Sequence, residues 1–215
     1  MPCWDKMARS RQRELDFNTW GGRRRGAGRK KGHRVSHGRR LVLKKRFPVH
    51  VTVRMADDIC NLRSKRCFRE LQKAFAGGRA RFGFRLIEFS VQGNHVHLIV
   101  EAEDEKSLTR GMQGLNIRIA RAINRVMKRD GKVLADRYHT RILRNPTQVG
   151  HALNYVRRNY QKHAQSWGEI IPASWRDPFS TAIPQPGVVS PPKTWMLSEP
   201  PDTPKRTPSP APKHA

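Results

Sequence analysis

Apolar residues recur with two different periods along the middle of this chain, and the switches between them mark out secondary structure. Pro48-Val49-His50-Val51-Thr52-Val53 puts an apolar residue at every second position, the period of a half-buried strand. Residues 57–76 shift to helical spacing, with Ile59, Leu62, Leu71 and Phe75 among the apolar positions, and Gly77-Gly78 ends the segment. A second strand is predicted over 82–91, through Phe84, Leu86, Ile87, Phe89 and Val91. Gln92-Gly93-Asn94 then turns the chain into His95-Val96-His97-Leu98-Ile99-Val100, so these two strands form a hairpin. Residues 107–128 predict a long helix, with Leu108, Met112, Leu115, Ile119, Ala122 and Val126 on one stripe. A short strand follows over 138–143. Asn145-Pro146 opens a third helix running to about Ala164, a cap followed by proline at the first helical position.

The order β-α-β-β-α-β plus a further helix predicts an α+β fold, the ferredoxin-like split βαβ sandwich. A four-stranded antiparallel sheet is then backed by two helices. The histidine strand is central, with His95 and His97 on the face turned away from those helices and from the core. The added C-terminal helix covers that face.

Composition divides the 215 residues into three parts. Residues 1–40 form a basic Arg/Gly-rich arm, with 13 Lys/Arg against 3 Asp/Glu, and cannot bury enough apolar surface to order themselves. Arg23, Arg24 and Arg25 are candidate phosphate contacts there. Residues 41–165 form the domain. Residues 166–215 form a Pro-rich tail, expected to be mostly disordered and docked in part through Trp167, Trp175, Phe179 or Trp195. The domain itself holds 26 Lys/Arg against 10 Asp/Glu, so the net charge of +27 is more than an effect of the arm. Such a field selects a polyanionic partner, most commonly nucleic acid. Cys60 and Cys67, seven apart on the predicted first helix, are expected to be buried thiols, and no cysteine spacing suggests a zinc site or disulfide frame. A reducing, intracellular compartment is expected. No apolar run approaches the roughly 18 residues that span a bilayer, and the N-terminal stretch lacks the apolar core of a secretory signal.

Candidate chemistry centres on the two histidines. Strand alternation puts His95 and His97 on one face, roughly 7 Å apart along the strand, where two neutral imidazoles can share one divalent ion. On the third helix, Val149, Ala152, Leu153, Val156 and Tyr160 make the apolar stripe, and Tyr160 is most simply a core residue. Tyr155 flanks the stripe, with Asn159 one turn further on the same side. Tyr155 is thus either a packing aromatic or a phenol pointed with Asn159 into a site. In the second case His95, His97 and the Asn159 amide oxygen hold the metal, which polarises a phosphate that Tyr155 attacks. Tyr138 precedes a short strand and has no amide partner one turn away. Arg118, Arg121 and Arg125 share a face of the second helix, which is either a DNA-backbone contact or a solvated helix face.

Several stretches carry a family resemblance. Gly93-Asn94-His95-Val96-His97-Leu98 resembles the N-H-V-H-L signature of the single-tyrosine HUH endonucleases, and of REP-associated tyrosine transposases in particular. Leu108 to Asn124, with Gly111-Met112-Gln113 and Leu115-Asn116, resembles that family's second helix. Arg137-Tyr138-His139 resembles its entry to the last strand. Asn154-Tyr155-Val156-Arg157-Arg158-Asn159 resembles its tyrosine helix. Asn rather than Gln four residues after Tyr favours the REP-associated branch over the insertion-sequence branch. The likeness covers about residues 45–182, including Asp177-Pro178-Phe179-Ser180, with Gly93 where the family often has Pro. It implies cleavage and strand transfer of single-stranded DNA at hairpins (REP-like palindromes), through a 5′-phosphotyrosine on Tyr155 with Mg²⁺ or Mn²⁺. A monomer or homodimer in the bacterial cytoplasm or nucleoid is expected, with no membrane partner. Two other readings compete: a non-catalytic single-stranded nucleic-acid binder of the RNA-recognition type, and a rolling-circle replication initiator-like nickase. The first has the right fold and charge but would carry aromatic residues where this strand carries histidines.

Overall fold

In the computed structural model, residues 42–166, 168–172 and 174–198 are described, and all fall within one structural unit. The elements are β1 (Val49–Arg54), α1 (Lys65–Gly78), β2 (Ala80–Arg81), β3 (Phe84–Val91), β4 (His95–Ala102), α2 (Glu105–Met127), β5 (His139–Ile142), α3 (Pro146–Ser166) and α4 (Trp195–Ser198). The sheet order is β2-β3-β4-β1-β5, and every neighbouring pair is antiparallel. The path from β1 through α1 to β3 steps over β4, and the path from β4 through α2 to β5 steps over β1. Each crossover is therefore split by a strand, and β1 and β4 end up side by side at the centre.

Two cores flank this sheet. Val51, Val53, Leu86, Phe89, Val96, Leu98 and Val100 pack against α1 and α2, through Leu71, Phe75, Met112, Leu115 and Ile119. On the opposite face Ile87 and Ile99 pack against Val149, Ala152, Leu153 and Val156 of α3, with Met196 and Leu197 of α4. Because both faces are covered, β4 is buried along almost its whole length. The period-2 alternation of this strand therefore separates two cores, and His97 is buried rather than turned out to solvent.

Two expectations change in the structure, the start of the first helix and the number of strands, and the docked part of the tail becomes visible. The first helix begins at Lys65, eight residues later than the periodicity predicts. Asn61 Oδ1 accepts from the Arg63 amide and Ser64 Oγ from the Cys67 amide, so polar side chains divert the backbone into a turn and then cap the helix. Cys60 lies in that turn, yet its Sγ comes 3.1 Å from Cys67 Sγ. A short strand, β2, extends the sheet edge through pairing with β3. The docked part of the tail is long: Asp177 is buried, Ser180 bridges Ser90, the Ser190 amide donates to Leu86 O at 2.8 Å, and α4 closes the second core. The basic arm, Trp167 and residues 199–215 lie outside the described residues.

Gly111 shows how close α2 comes to the sheet. A Cβ there would lie 2.1 Å from Phe84 Cγ, and Phe84 is itself fully buried. Alanine in a helix interior is otherwise favoured over glycine by up to ~1 kcal/mol. The steric term is larger, so Gly111→Ala is expected to cost about 1–3 kcal/mol net. Urea unfolding checks this, and a stabilised variant would contradict the packing.

Candidate active site

The histidine strand and the tyrosine helix meet on the α3 side of the sheet. Register does the first part of the assembly. Thr52 pairs with His97 and Arg54 with His95, so the polar alternates of β1 line up beside the histidines of β4. His97 Nδ1 lies 3.1 Å from Thr52 Oγ1 and 3.2 Å from His50 Nε2. His95 Nδ1 donates to Asn94 Oδ1 at 2.8 Å, since an amide oxygen only accepts. That bond leaves His95 Nε2 with its lone pair, 3.1 Å from His97 Nε2. The Tyr155 hydroxyl points at the same His97 Nε2 from α3, at 3.4 Å. Rings of His50, His95 and Tyr155 all stand within 5.2 Å of the His97 ring, centre to centre.

Two pins hold α3 in this position. Arg157, two residues past the tyrosine, grips buried Glu88 of β3 through Nη2–Oε1 at 2.5 Å and Nε–Oε2 at 3.3 Å. Thr181 of the docked tail binds the same carboxylate. Arg63 makes the second pin: its guanidinium donates twice to Asp177, at 2.9 and 3.0 Å, and stacks between the rings of Tyr160 and Phe179. Tyr160 is therefore half-buried under Arg63 and near Trp175, a support for the tail and no part of the main stripe. Asn159 takes the buried place on the helix instead, at 2 % exposure.

Burial sets the charge state of the cluster. The His97 imidazole is pushed down to about 3, by burial first and then by the positive fields of His95, His50 and His163. His50 falls to about 4, again by burial first, with His139 and Arg141 adding to it. His95 moves in the same direction. All three are neutral near pH 7, the form that binds metal. Burial raises the Tyr155 phenol, and the facing Asn159 amide pulls it part of the way back. A depressed histidine value means that the unfolded chain takes up protons first. Stability from His50 and His97 is then fully present above about pH 6.5 and is lost as pH falls toward 4. The urea midpoint is expected to drop between pH 7 and 5.5, where most carboxylates stay ionised, and less so in His50→Asn. Equal midpoints at the two pH values would contradict the buried neutral pair.

The residues present suit a divalent cation. The two Nε2 atoms lie 3.1 Å apart, and neutral imidazoles can offer lone pairs there. The Asn159 side chain lies against the Tyr155 hydroxyl, and its amide oxygen is the atom that would serve as a third donor. Among the described residues no cluster of three His, Cys, Asp or Glu side chains forms a ready metal cage.

Of the sequence-predicted positions, His95, His97, Tyr155 and Asn159 come together here. Arg118, Arg121 and Arg125 do not. They ride on α2, across the sheet, where Arg118 lies over Gly77 and Gly78 and Arg125 pairs with Glu70 at 3.6 Å. These contacts tie α1 to α2. Arg23, Arg24 and Arg25 fall outside the described residues. Sequence reasoning missed His50 and Thr52, whose signal was present as the polar alternates of the first strand.

The profile of the IS200-like transposases matches residues 46–169, which contain every residue of this cluster. The chain belongs to that family. A REP-associated tyrosine transposase solved bound to a REP hairpin shares the fold of this transposase, at a TM-score of 0.54 and 19 % identity, over 68 % of this chain and 82 % of the other. A candidate transposase from Deinococcus radiodurans aligns over 64 % of this chain and 99 % of its own, at 13 % identity and a TM-score of 0.39. No curated protein sequence matches the chain. Among its described residues no helix is long and apolar enough to cross a membrane.

Proposed function

We propose that this transposase nicks and rejoins single-stranded DNA beside hairpins, with Tyr155 as nucleophile and a Mg²⁺ or Mn²⁺ ion held by His95, His97 and Asn159. The observation that carries the reading is the convergence of the Tyr155 hydroxyl on His97 Nε2, itself 3.1 Å from His95 Nε2. Bound there, the cation supplies Lewis-acid polarisation of a scissile phosphate. His97 is oriented through Nδ1 by Thr52 and His50, and His95 by Asn94, so both present Nε2 to the same point. Tyr155 oxygen attacks phosphorus, the 3′-oxygen leaves, and the phenol proton ends on that 3′-hydroxyl. The product is a 5′-phosphotyrosine that keeps the phosphodiester energy for rejoining. Asn159 faces the Tyr155 hydroxyl and favours its anionic form. The REP hairpin in the structurally similar transposase supports a hairpin as the DNA partner. A hairpin with a labelled single-stranded flank, incubated with the full chain and Mn²⁺, is the test. A denaturant-resistant adduct on the flank is expected, and binding without any adduct supports the non-catalytic reading.

A further inference from the structure

The β2–β3 hairpin turns on two residues, Phe82 and Gly83, because Arg81 pairs with Phe84. Both central residues have positive φ, 54° and 75°. A turn of this hand favours Asn-Gly. A bulky aromatic at the first position is conformationally costly, and Phe82 offsets little of that by packing, since it is 65 % exposed.

A second exposed aromatic faces the same cleft. Trp195 is 60 % exposed, while Met196 and Leu197 beside it are buried in the second core. Its position is fixed from below. The buried Glu101 carboxylate accepts from the Lys193 amide at 3.0 Å and from the Thr194 amide and hydroxyl at 2.8 Å. The cleft between the two rings has a volume of about 780 Å³ and is rimmed by Lys45, Arg46, Arg81 and Lys193. Glu101 is consumed by the tail and Glu103 by Lys45, at 3.3 Å. Arg46, Arg81 and Lys193 have no ion-pair partner among the described residues, so the cleft is basic as well as aromatic. It lies at the Ala102 end of β4, about 23 Å along the strand from His95 at ~3.3 Å per residue.

We infer that this cleft is a second DNA-binding site, which takes unpaired nucleotides of a strand remote from the cleaved phosphate. Bases stack on Phe82 and Trp195, and phosphates lie against Arg46, Arg81 and Lys193. Flat rings serve any base, so the site grips single strands with little sequence preference. A basic rim around an apolar floor selects a polyanion with planar apolar groups over a protein segment or a second copy of the chain. The inference rests on the reading of this transposase as acting on single-stranded DNA, and it adds a place where the flanking strand is held.

The test uses the full chain and a fluorescein-labelled 20-nucleotide oligothymidine, read by anisotropy. Phe82→Ala with Trp195→Ala is expected to weaken binding about tenfold or more, given the size of base–aromatic stacking. Adduct formation on a saturating hairpin substrate is expected to be unchanged. Trp195→Phe keeps a ring and should retain most of the affinity, and Arg81→Glu should weaken binding without touching a buried side chain. Tyr155→Phe should bind the oligothymidine as wild type does. Failure of the catalytic reading would thus appear in the adduct and leave this measurement standing. Oligothymidine affinity within twofold of wild type in the double variant and in Arg81→Glu overturns the inference. So does a double variant that binds normally but sediments as a smaller species, which would make the cleft a contact between copies.

Discussion

Tyr155→Phe is expected to abolish the covalent protein–DNA adduct, by roughly 10⁴-fold or more in rate, while hairpin affinity stays within about twofold. The substitution removes one oxygen and keeps the ring. That ring is half-buried beside the second core and edge-on to His97 at 5.1 Å between centres, so the packing survives. Tyr160→Phe makes the contrast. Its ring stacks on the Arg63 guanidinium, 3.6 Å from the centroid, and the phenyl ring keeps that stack. Adduct yield there should remain near wild type. Mass spectrometry of a trapped adduct locates the nucleotide, and finding it on a peptide without Tyr155 would falsify the assignment.

His95→Ala and His97→Ala are each expected to lower Mn²⁺ affinity by about 100-fold or more and to remove cleavage, since two imidazoles supply most of the donor set. Their effects on folding should differ. His95 lies at the open start of β4 and its loss should leave the melting temperature nearly unchanged. His97 is 5 % exposed and touches Thr52, His50 and Tyr155, so its truncation opens a gap between sheet and α3. A measurable drop in stability is expected there. Thr52→Val keeps the shape and removes the hydroxyl that orients His97, and about a 10–100-fold loss of metal affinity is expected. Calorimetric titration with Mn²⁺ separates these cases. Unchanged affinity in both histidine variants would remove the metal assignment.

The alternation of Val96, Leu98 and Val100 with His95, His97 and Ile99 was legible in the sequence because strand geometry sends neighbours to opposite faces. The same rule put His50 and Thr52 on one face of β1. It could not say which face, nor that Thr52 stands opposite His97 with His50 diagonal to it. That depends on the Thr52–His97 register, which is set by pairing of strands 45 residues apart. Helix periodicity gave the α3 stripe through Val156 but misjudged its next step. Asn159 and Tyr160 both lie near the stripe, and apolarity alone favours the tyrosine. In the fold the amide is buried and the tyrosine ring lies under Arg63, because the Arg63–Asp177 pair brings a guanidinium to that flank.

Local sequence determined the longer strands, the three long helices and the side of each that is apolar, apart from the start of the first helix, since periodicity and capping act over a few residues. The pairing of Tyr155 with Asn159 on one helix side belongs to that class. Only the tertiary structure decided that Arg118, Arg121 and Arg125 stand across the sheet from the histidines, and that residues 177–198 of the proline-rich tail pack into the domain. Both outcomes rest on contacts between residues distant in the chain. Glu88 draws in Arg157 and Thr181, and Glu101 draws in Lys193 and Thr194, because a buried carboxylate must find donors wherever the fold supplies them.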